Sequence, residues 1–263
     1  MIIGAQLFTL RDYCKSMAEL EETLQKVKAI GYTSVQLSAV CPYTGEEMAE
    51  LLARVGLTAD LTHYDLKKTL GDTAGTIATH KAFGCPYVGL GYPPYAFTKE
   101  GFDGMLADLK EPLEVLSAAG LKFMYHNHNP EFARITLDDG RAVTLFDYLC
   151  ENAPESFGVT LDCYWAQAGG ADPIALLYKY RGRFDCIHLK DMVFSPEDKA
   201  VRMAAVGEGN MNYRGILKAA LETGVKYAFV EQDNCYGEDP FLCLERSYRN
   251  VEKLLCELKG EEK

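Results

Sequence analysis

Short apolar runs alternate with stretches of helical periodicity along the whole chain. Residues 2–7 are apolar except for Gln6, which predicts a first strand carrying one buried polar group. Ser16, Met17, Ala18 and Glu19 have the form of a capping box, and Leu20, Leu24, Val27 and Ile30 follow at helical spacing until Gly31. Residues 35–37 predict a second strand, 44–55 a helix with Met48, Leu51, Leu52 and Val55 on one face, and 57–63 a third strand. A helix over 66–83 leads to a short buried strand over 87–90 and the Tyr92-Pro93-Pro94-Tyr95 loop. Residues 98–119 are helical, with Pro112 expected to kink or divide them. A fifth strand starts at Lys122. Then come a helix over 143–152, a strand over 157–162, and a helix opened by Asp172-Pro173 as N-cap and first-turn proline. Residues 184–189 and 227–231 are the last two strands, and 212–221 and 240–258 the last two helices. The stretch 191–209 is expected to be irregular, and the charged tail 259–263 frayed.

Eight alternating strand and helix units result, with neither a domain-breaking linker nor a Gly-rich dinucleotide fingerprint. That pattern favours a closed (β/α)8 TIM barrel formed by residues 1–263 as one domain, rather than an open doubly wound sheet. Such a barrel carries its active site at the carboxyl ends of its strands, where 191–209 would form a covering loop.

Chemistry gathers at those strand ends. Residues 122–132, KFMYHNHNPEF, run apolar and then break into two histidines, a proline and Glu131. The strands ending at Asp162, at His188 with Lys190 two residues on, and at Glu231 repeat the pattern. Glu131, Asp162, His188 and Glu231 would form an oxygen-rich site suited to one divalent ion: Mn²⁺, Mg²⁺, Co²⁺ or Zn²⁺. Without a cation, three clustered carboxylates would raise one another's pKa. The chemistry such a site favours is removal of a proton next to a carbonyl. Glu131 and Glu231 would serve as bases on two faces of a sugar carbon, as an epimerase or isomerase requires.

Composition narrows the partners. A formal net charge of −11 over 263 residues argues against nucleic acid and anionic membranes and for small neutral substrates. The nine cysteines are scattered without a C-x-x-C pair, which predicts a reducing compartment. The amino terminus lacks a basic n-region and no apolar run is long enough to span a bilayer, so a cytoplasmic location is expected. The apolar stretch 92–97 offers a surface through which a homo-oligomer could form.

The chain resembles the sugar phosphate isomerase/epimerase family with the xylose-isomerase-like barrel. The resemblance covers nearly its whole length. It lies in Gln6 to Asp12 (QLFTLRD), in Tyr125-His126-Asn127-His128 with Glu131, in Leu161-Asp162 followed by Tyr164-Trp165 and Gly169-Gly170, in His188-Leu189-Lys190-Asp191 and in Gly207-Glu208-Gly209. It implies a divalent metal held by Glu131, Asp162, His188 and Glu231, and relatives that are ketose 3-epimerases, inosose dehydratase and 3-dehydroshikimate dehydratase. Two positions depart from the family pattern. Trp165 stands where the ketose 3-epimerases place a substrate-binding histidine, and Gln36 stands where many relatives have a glutamate. An aromatic ring at Trp165 could stack on the apolar face of a sugar or cyclitol.

Plainer roles stand beside these. Asp162 or Glu231 could merely cap a following helix, and His188 could be a satisfied core histidine. His126 could replace Glu131 as the fifth strand's ligand; strand alternation puts it on the opposite face from Tyr125, and inward is the favoured side. Lys190 could bind a substrate oxygen or donate a proton, or instead pair with Asp162 or Glu131. His63 is a substrate contact or a cap, Cys163 is packing, and His80 is expected on the surface. The resulting reading is a metal-dependent isomerase or epimerase of a sugar or sugar derivative, catalysed by Glu131, Glu231 and Lys190, with His63, His126, Trp165 and Lys190 binding substrate. The alternative is a metal-dependent dehydratase of a keto-cyclitol or keto-sugar. An apurinic-site endonuclease-like phosphodiesterase would need more than the five histidines present and a basic groove, and a sugar-binding barrel without catalysis would not need so many carboxylates.

Overall fold

Eight short strands, apolar on both faces, can all be covered only if the sheet curls on itself with helices outside, and the chain does this. The structure is a computed structural model that describes residues 1–260. Its strands β1 (Ile2–Gln6), β2 (Ser34–Leu37), β3 (Thr58–Thr62), β4 (Tyr87–Leu90), β5 (Lys122–His126), β6 (Phe157–Asp162), β7 (Cys186–Leu189) and β8 (Tyr227–Val230) form a closed barrel in chain order. All neighbours are parallel, and β1 closes on β8 with Ile3 opposite Ala228. Every residue of β6 is buried.

The capping signals work as the spacing suggests. Ser16 accepts from the Glu19 N–H at the start of helix α1 (Met17–Ile30), and at α2 (Gly45–Val55) Thr44 and Glu47 complete a reciprocal box. Several boundaries differ from expectation. Residues 66–83 form two helices, α3 (Leu66–Gly71) and α4 (Thr73–Ala82), because Asp72 leaves the helical region and caps α4 through Gly75. Pro112 neither divides nor ends α5 (Lys99–Ala118). Its ring is buried beside Leu109, Leu113 and Leu116, and that apolar face outweighs the one missing backbone hydrogen bond. His80 is fully buried, not on the surface. Its ring bonds Thr62 Oγ1 at 2.9 Å and the Thr76 carbonyl at 2.8 Å.

The stretch 191–209 is largely ordered as an antiparallel hairpin, Asp191–Ser195 with Ala200–Ala204. Asp191 anchors its base by accepting from the N–H groups of Met192, Gly207, Gly209 and Met211. A second hairpin, Arg134–Thr136 with Ala142–Thr144, precedes the helix α6 (Leu145–Asn152). The expected tail lies outside the described residues for positions 261–263.

Most of the core fills the layer between barrel and helices. A separate cluster of Leu61, Tyr87, Met124, Cys186 and Phe229 packs together apart from that layer. Gly4 is required beside it, since a Cβ there would stand 2.5 Å from the Phe229 ring. Among the described residues no helix is long and apolar enough to cross a membrane.

Candidate active site

The carboxyl ends of the strands bring buried polar groups together: Gln6 from β1, Gln36 from β2, His126 from β5, Asp162 from β6, His188 from β7 and, one residue past β8, Glu231. Among the described residues, His126, Asp162, His188 and Glu231 each offer one ligand atom, and these atoms all lie within 4.8 Å of one another.

Three of the four ligand candidates, Asp162, Glu231 and His188, are oriented by a bond to their other polar atom, whereas His126 Nδ1 is buried without a partner. Asp162 Oδ1 accepts from the Trp165 N–H at 2.8 Å, so the residue does cap the helix α7 (Cys163–Ala168), and Oδ2 faces the cluster. Asn127 fixes the Asp162 backbone by accepting its N–H at 2.9 Å. Glu231 Oε1 accepts from Gln6 Nε2 at 2.8 Å, leaving Oε2 inward. His188 Nε2 lies 2.6 Å from Gln36 Oε1, a carbonyl that can only accept, so Nε2 carries hydrogen and Nδ1 faces Glu231 Oε2 at 2.8 Å and Asp162 Oδ2 at 3.6 Å. Neither His188 Nδ1 nor Glu231 Oε2 has a partner with hydrogen-bond geometry, although both are buried. Neighbouring donor atoms about 2.1 Å from a shared metal stand about 3 Å apart, so this crowding without hydrogen-bond alignment fits a point cation. Two imidazoles and two carboxylates could hold a divalent ion of borderline character.

Lys190 is the charge that meets these carboxylates. Its Nζ lies 3.2 Å from Asp162 Oδ2, 3.0 Å from Glu231 Oε2 and 3.1 Å from Asp233. Burial alone would lower its pKa, but the three carboxylates hold it above the ordinary lysine value. Burial likewise opposes ionisation of Asp162 and Glu231. Lys190 and the neighbouring histidines overcome it and hold both well below the usual carboxylate range. Asp233 is pushed up to about 7 by burial and by Glu231, against the pull of Lys190. His63, His126 and His128 are driven towards the neutral form chiefly by burial, whereas Glu231 and Asp162 overcome burial at His188 and raise it.

The structure does not bring Glu131 into the cluster. Residues Pro130–Phe132 turn as a 3₁₀ helix, and Glu131 Oε1 accepts from Tyr125 Oη at 2.7 Å and from the His128 N–H at 3.1 Å. Tyr125 lies on the opposite face of β5 from His126, so this bond draws the carboxylate out of the barrel's interior. His126 stands in the cluster instead, with Nε2 3.1 Å from Asp162 Oδ2. His63 lies against it, ring centroids 5.2 Å apart, with Nδ1 bonded to Ser38 Oγ at 3.0 Å and Nε2 buried without a partner. Trp165 sits at the edge, its ring 5.6 Å from Lys190 Nζ. Asp233 and Ser38 are contributors that sequence reading passed over, and Gln6 was read only as a buried polar group of the first strand. Asp233 had a signal in its position, two residues beyond Glu231 on the same side. A cavity of about 310 Å³ lies over the cluster, walled by Phe8, Tyr92, His128 and Asp233 among others.

A family model described as xylose isomerase-like TIM barrel matches residues 4–240. No curated protein sequence matches the chain. A solved sugar phosphate isomerase/epimerase from Parabacteroides distasonis superposes with a TM-score of 0.80 at 19% identity, over 96% of this chain and 94% of that one. A structure of L-ribulose 3-epimerase gives 0.73 at 16% identity, over 99% and 96%. The IolI protein, described with a binding zinc atom, gives 0.71 at 14% identity, over 98% and 99%. At such identities these neighbours speak for the fold alone.

Proposed function

Because the chain belongs to the xylose isomerase-like TIM barrel family, we propose that it is a divalent-metal-dependent isomerase or epimerase that removes a proton next to a carbonyl of a sugar or sugar derivative. The observation that carries this reading is the convergence of His126, Asp162, His188 and Glu231 beneath a cavity of about 310 Å³. Neighbours described as an L-ribulose 3-epimerase and a zinc-binding IolI protein agree with it. The four residues would hold the ion, and two imidazoles move the preference from Mg²⁺ towards Mn²⁺, Co²⁺ or Zn²⁺. When bound, such an ion supplies Lewis-acid polarisation of a carbonyl and an adjacent hydroxyl oxygen.

The remaining work falls to the chain's own side chains. Glu231, held through Oε1 by Gln6, is the base that takes the proton. Glu131 is tied to Tyr125 and does not supply a second face, whereas Asp233 with Lys190, hydrogen-bonded at 3.1 Å beside Glu231 at the cavity wall, returns the proton on the face of Glu231, as an isomerase requires. His63 and His128, each with an unpartnered buried ring nitrogen, bind substrate oxygens. Trp165 packs against Lys190 and His128 and acts on the site through them. The Lys190–Asp233 pair also favours a second reading, dehydration of a keto-sugar or keto-cyclitol, because an acid beside Glu231 could protonate a departing hydroxyl.

The test is deuterium exchange by NMR in D₂O into ketoses, 3-keto sugars and inososes, with Mn²⁺ and with a chelator control. Exchange next to the carbonyl that disappears with chelator and in Glu231→Gln supports the reading, and the product separates epimerase from dehydratase. Bound metal without exchange into any of these sugars would reject it.

A further inference from the structure

A second cavity, of about 520 Å³, adjoins the one over the metal cluster and shares His63 and Ala39 with it. Resting on the sugar-processing reading, we propose that this outer cavity is a subsite for a second, uncharged sugar ring, so that the substrate is a glycosylated ketose and not a free monosaccharide. The outer cavity is formed by the loops after β2 and β3 and by one face of α4.

The shared wall is built for a ligand that crosses it. His63 is fixed there by its bond to Ser38 and by Gly91, where a Cβ would stand 2.8 Å from the ring. Its Nε2 is buried and has no partner, which leaves one polar atom for an oxygen between two sugar units. Ala39, the other shared residue, holds a left-handed backbone with φ of 54° and no glycine to ease it. Strain of this kind, on the order of 1–3 kcal/mol, gathers at ligand clamps.

The lining selects the chemistry of the occupant. Tyr43 and Tyr64 are held edge-on by Phe83 and His80, with centroid distances of 6.1 and 4.8 Å, and so present fixed aromatic surface. Glu46 and Asp65 offer carboxylate acceptors for hydroxyl groups, and among the described residues Lys68 is the one cation in the wall. Two carboxylates against one ammonium disfavour a phosphate or carboxylate substituent. Aromatic surface combined with carboxylate acceptors matches a ring with apolar faces and hydroxyl edges. The volumes of both cavities lie in the range of roughly 300–1,000 Å³ usual for small-ligand sites, and each suits one ring.

The experiment uses four glucosyl-fructoses, linked at O3, O4, O5 and O6 of fructose, beside fructose and fructose 6-phosphate, all with the Mn²⁺-loaded protein. Affinity is read by saturation-transfer NMR, which needs no turnover, and deuterium exchange is read in parallel. At least one glucosyl-fructose is expected to bind about tenfold or more tightly than fructose. Ala78→Trp, on the exposed face of α4 in the outer cavity, should abolish that advantage while Mn²⁺ affinity stays at the wild-type value. Val40→Trp, in the loop after β2 that lines the same cavity, is the second variant and should do the same. Equal or weaker binding of all four glucosyl-fructoses overturns the subsite, as does tighter binding of fructose 6-phosphate or an advantage that survives both tryptophans. Absence of exchange with the affinity difference intact counts against proton abstraction instead, so the two failures are told apart.

Discussion

Gln36 sets which nitrogen of His188 is free. The 2.6 Å approach of Gln36 Oε1 to Nε2 places a hydrogen there and turns Nδ1 towards Glu231 and Asp162, where it is the nitrogen available to a shared cation. Outer partners of this kind are worth about 10–100-fold in metal affinity, so Gln36→Met should weaken Mn²⁺ binding by that factor, measured by calorimetry. Gln36→Glu keeps an acceptor at the same place and should restore most of it. Unchanged affinity in Gln36→Met would show that His188 is not a ligand oriented in this way.

His126 and Glu131 make a direct contrast, because either could have been the ligand from the fifth strand. His126→Ala should lower metal affinity by more than the roughly 100-fold expected of an outer-shell loss. Glu131→Gln should leave the affinity within about threefold and instead lower folding stability by roughly 1–3 kcal/mol, since Tyr125 and the His128 N–H lose a charged acceptor. Metal titration and urea denaturation of both variants decide between them, and loss of metal in Glu131→Gln would return that residue to the cluster.

The barrel was legible because its information is local: apolar strand runs recur eight times, and caps such as Thr44 with Glu47 and glycine stops such as Gly31 and Gly56 mark helices between them. The polar residues Asp162, His188 and Glu231, which the fold brings together, stood out for the same reason, lying where apolar strands end. Rotation of a side chain after a strand has ended is not local. Glu131 follows Pro130 by one residue, and its partner Tyr125 is decided by the turn between them, so spacing alone could not separate it from His126. His80 shows the same limit, since a polar residue in a helix of weak periodicity gives no sign that Thr62 waits on the neighbouring strand. The hairpin after β7 was hidden because Asp191 organises it through backbone N–H groups up to 20 residues away.

That buried imidazole has a consequence for stability. Burial lowers the His80 pKa from 6.5 to about 4, so at pH 5 the unfolded chain binds a proton there and the folded one does not. Stability rises with pH wherever the unfolded state holds more protons. The contribution of His80 is therefore fully present above pH 6.5 and is lost as pH falls towards about 4, on the order of 3 kcal/mol in all. His80→Gln should remove that part of the slope. The Tm difference between wild type and variant, followed from pH 7 to pH 4, should narrow as the solution is acidified, and a constant difference would mean that His80 titrates normally in the fold.

Lys190 determines how the site behaves without metal. Its ammonium is 1% exposed and meets Asp162, Glu231 and Asp233 at 3.0–3.2 Å, so it is the counter-charge that lets two buried carboxylates stay ionised. Lys190→Met leaves those charges uncompensated, and removing one partner from a buried ion pair costs about 3–5 kcal/mol. A divalent ion on the same oxygens replaces the missing charge. The metal-free variant should therefore melt well below the metal-free wild type, and saturating Mn²⁺ should raise its Tm by clearly more than it raises the wild-type Tm. Thermal melts with Mn²⁺ and with chelator measure both increments. Equal increments would mean that the ammonium and the metal do not act on the same carboxylates, which would remove Asp162 and Glu231 from the proposed ligand set.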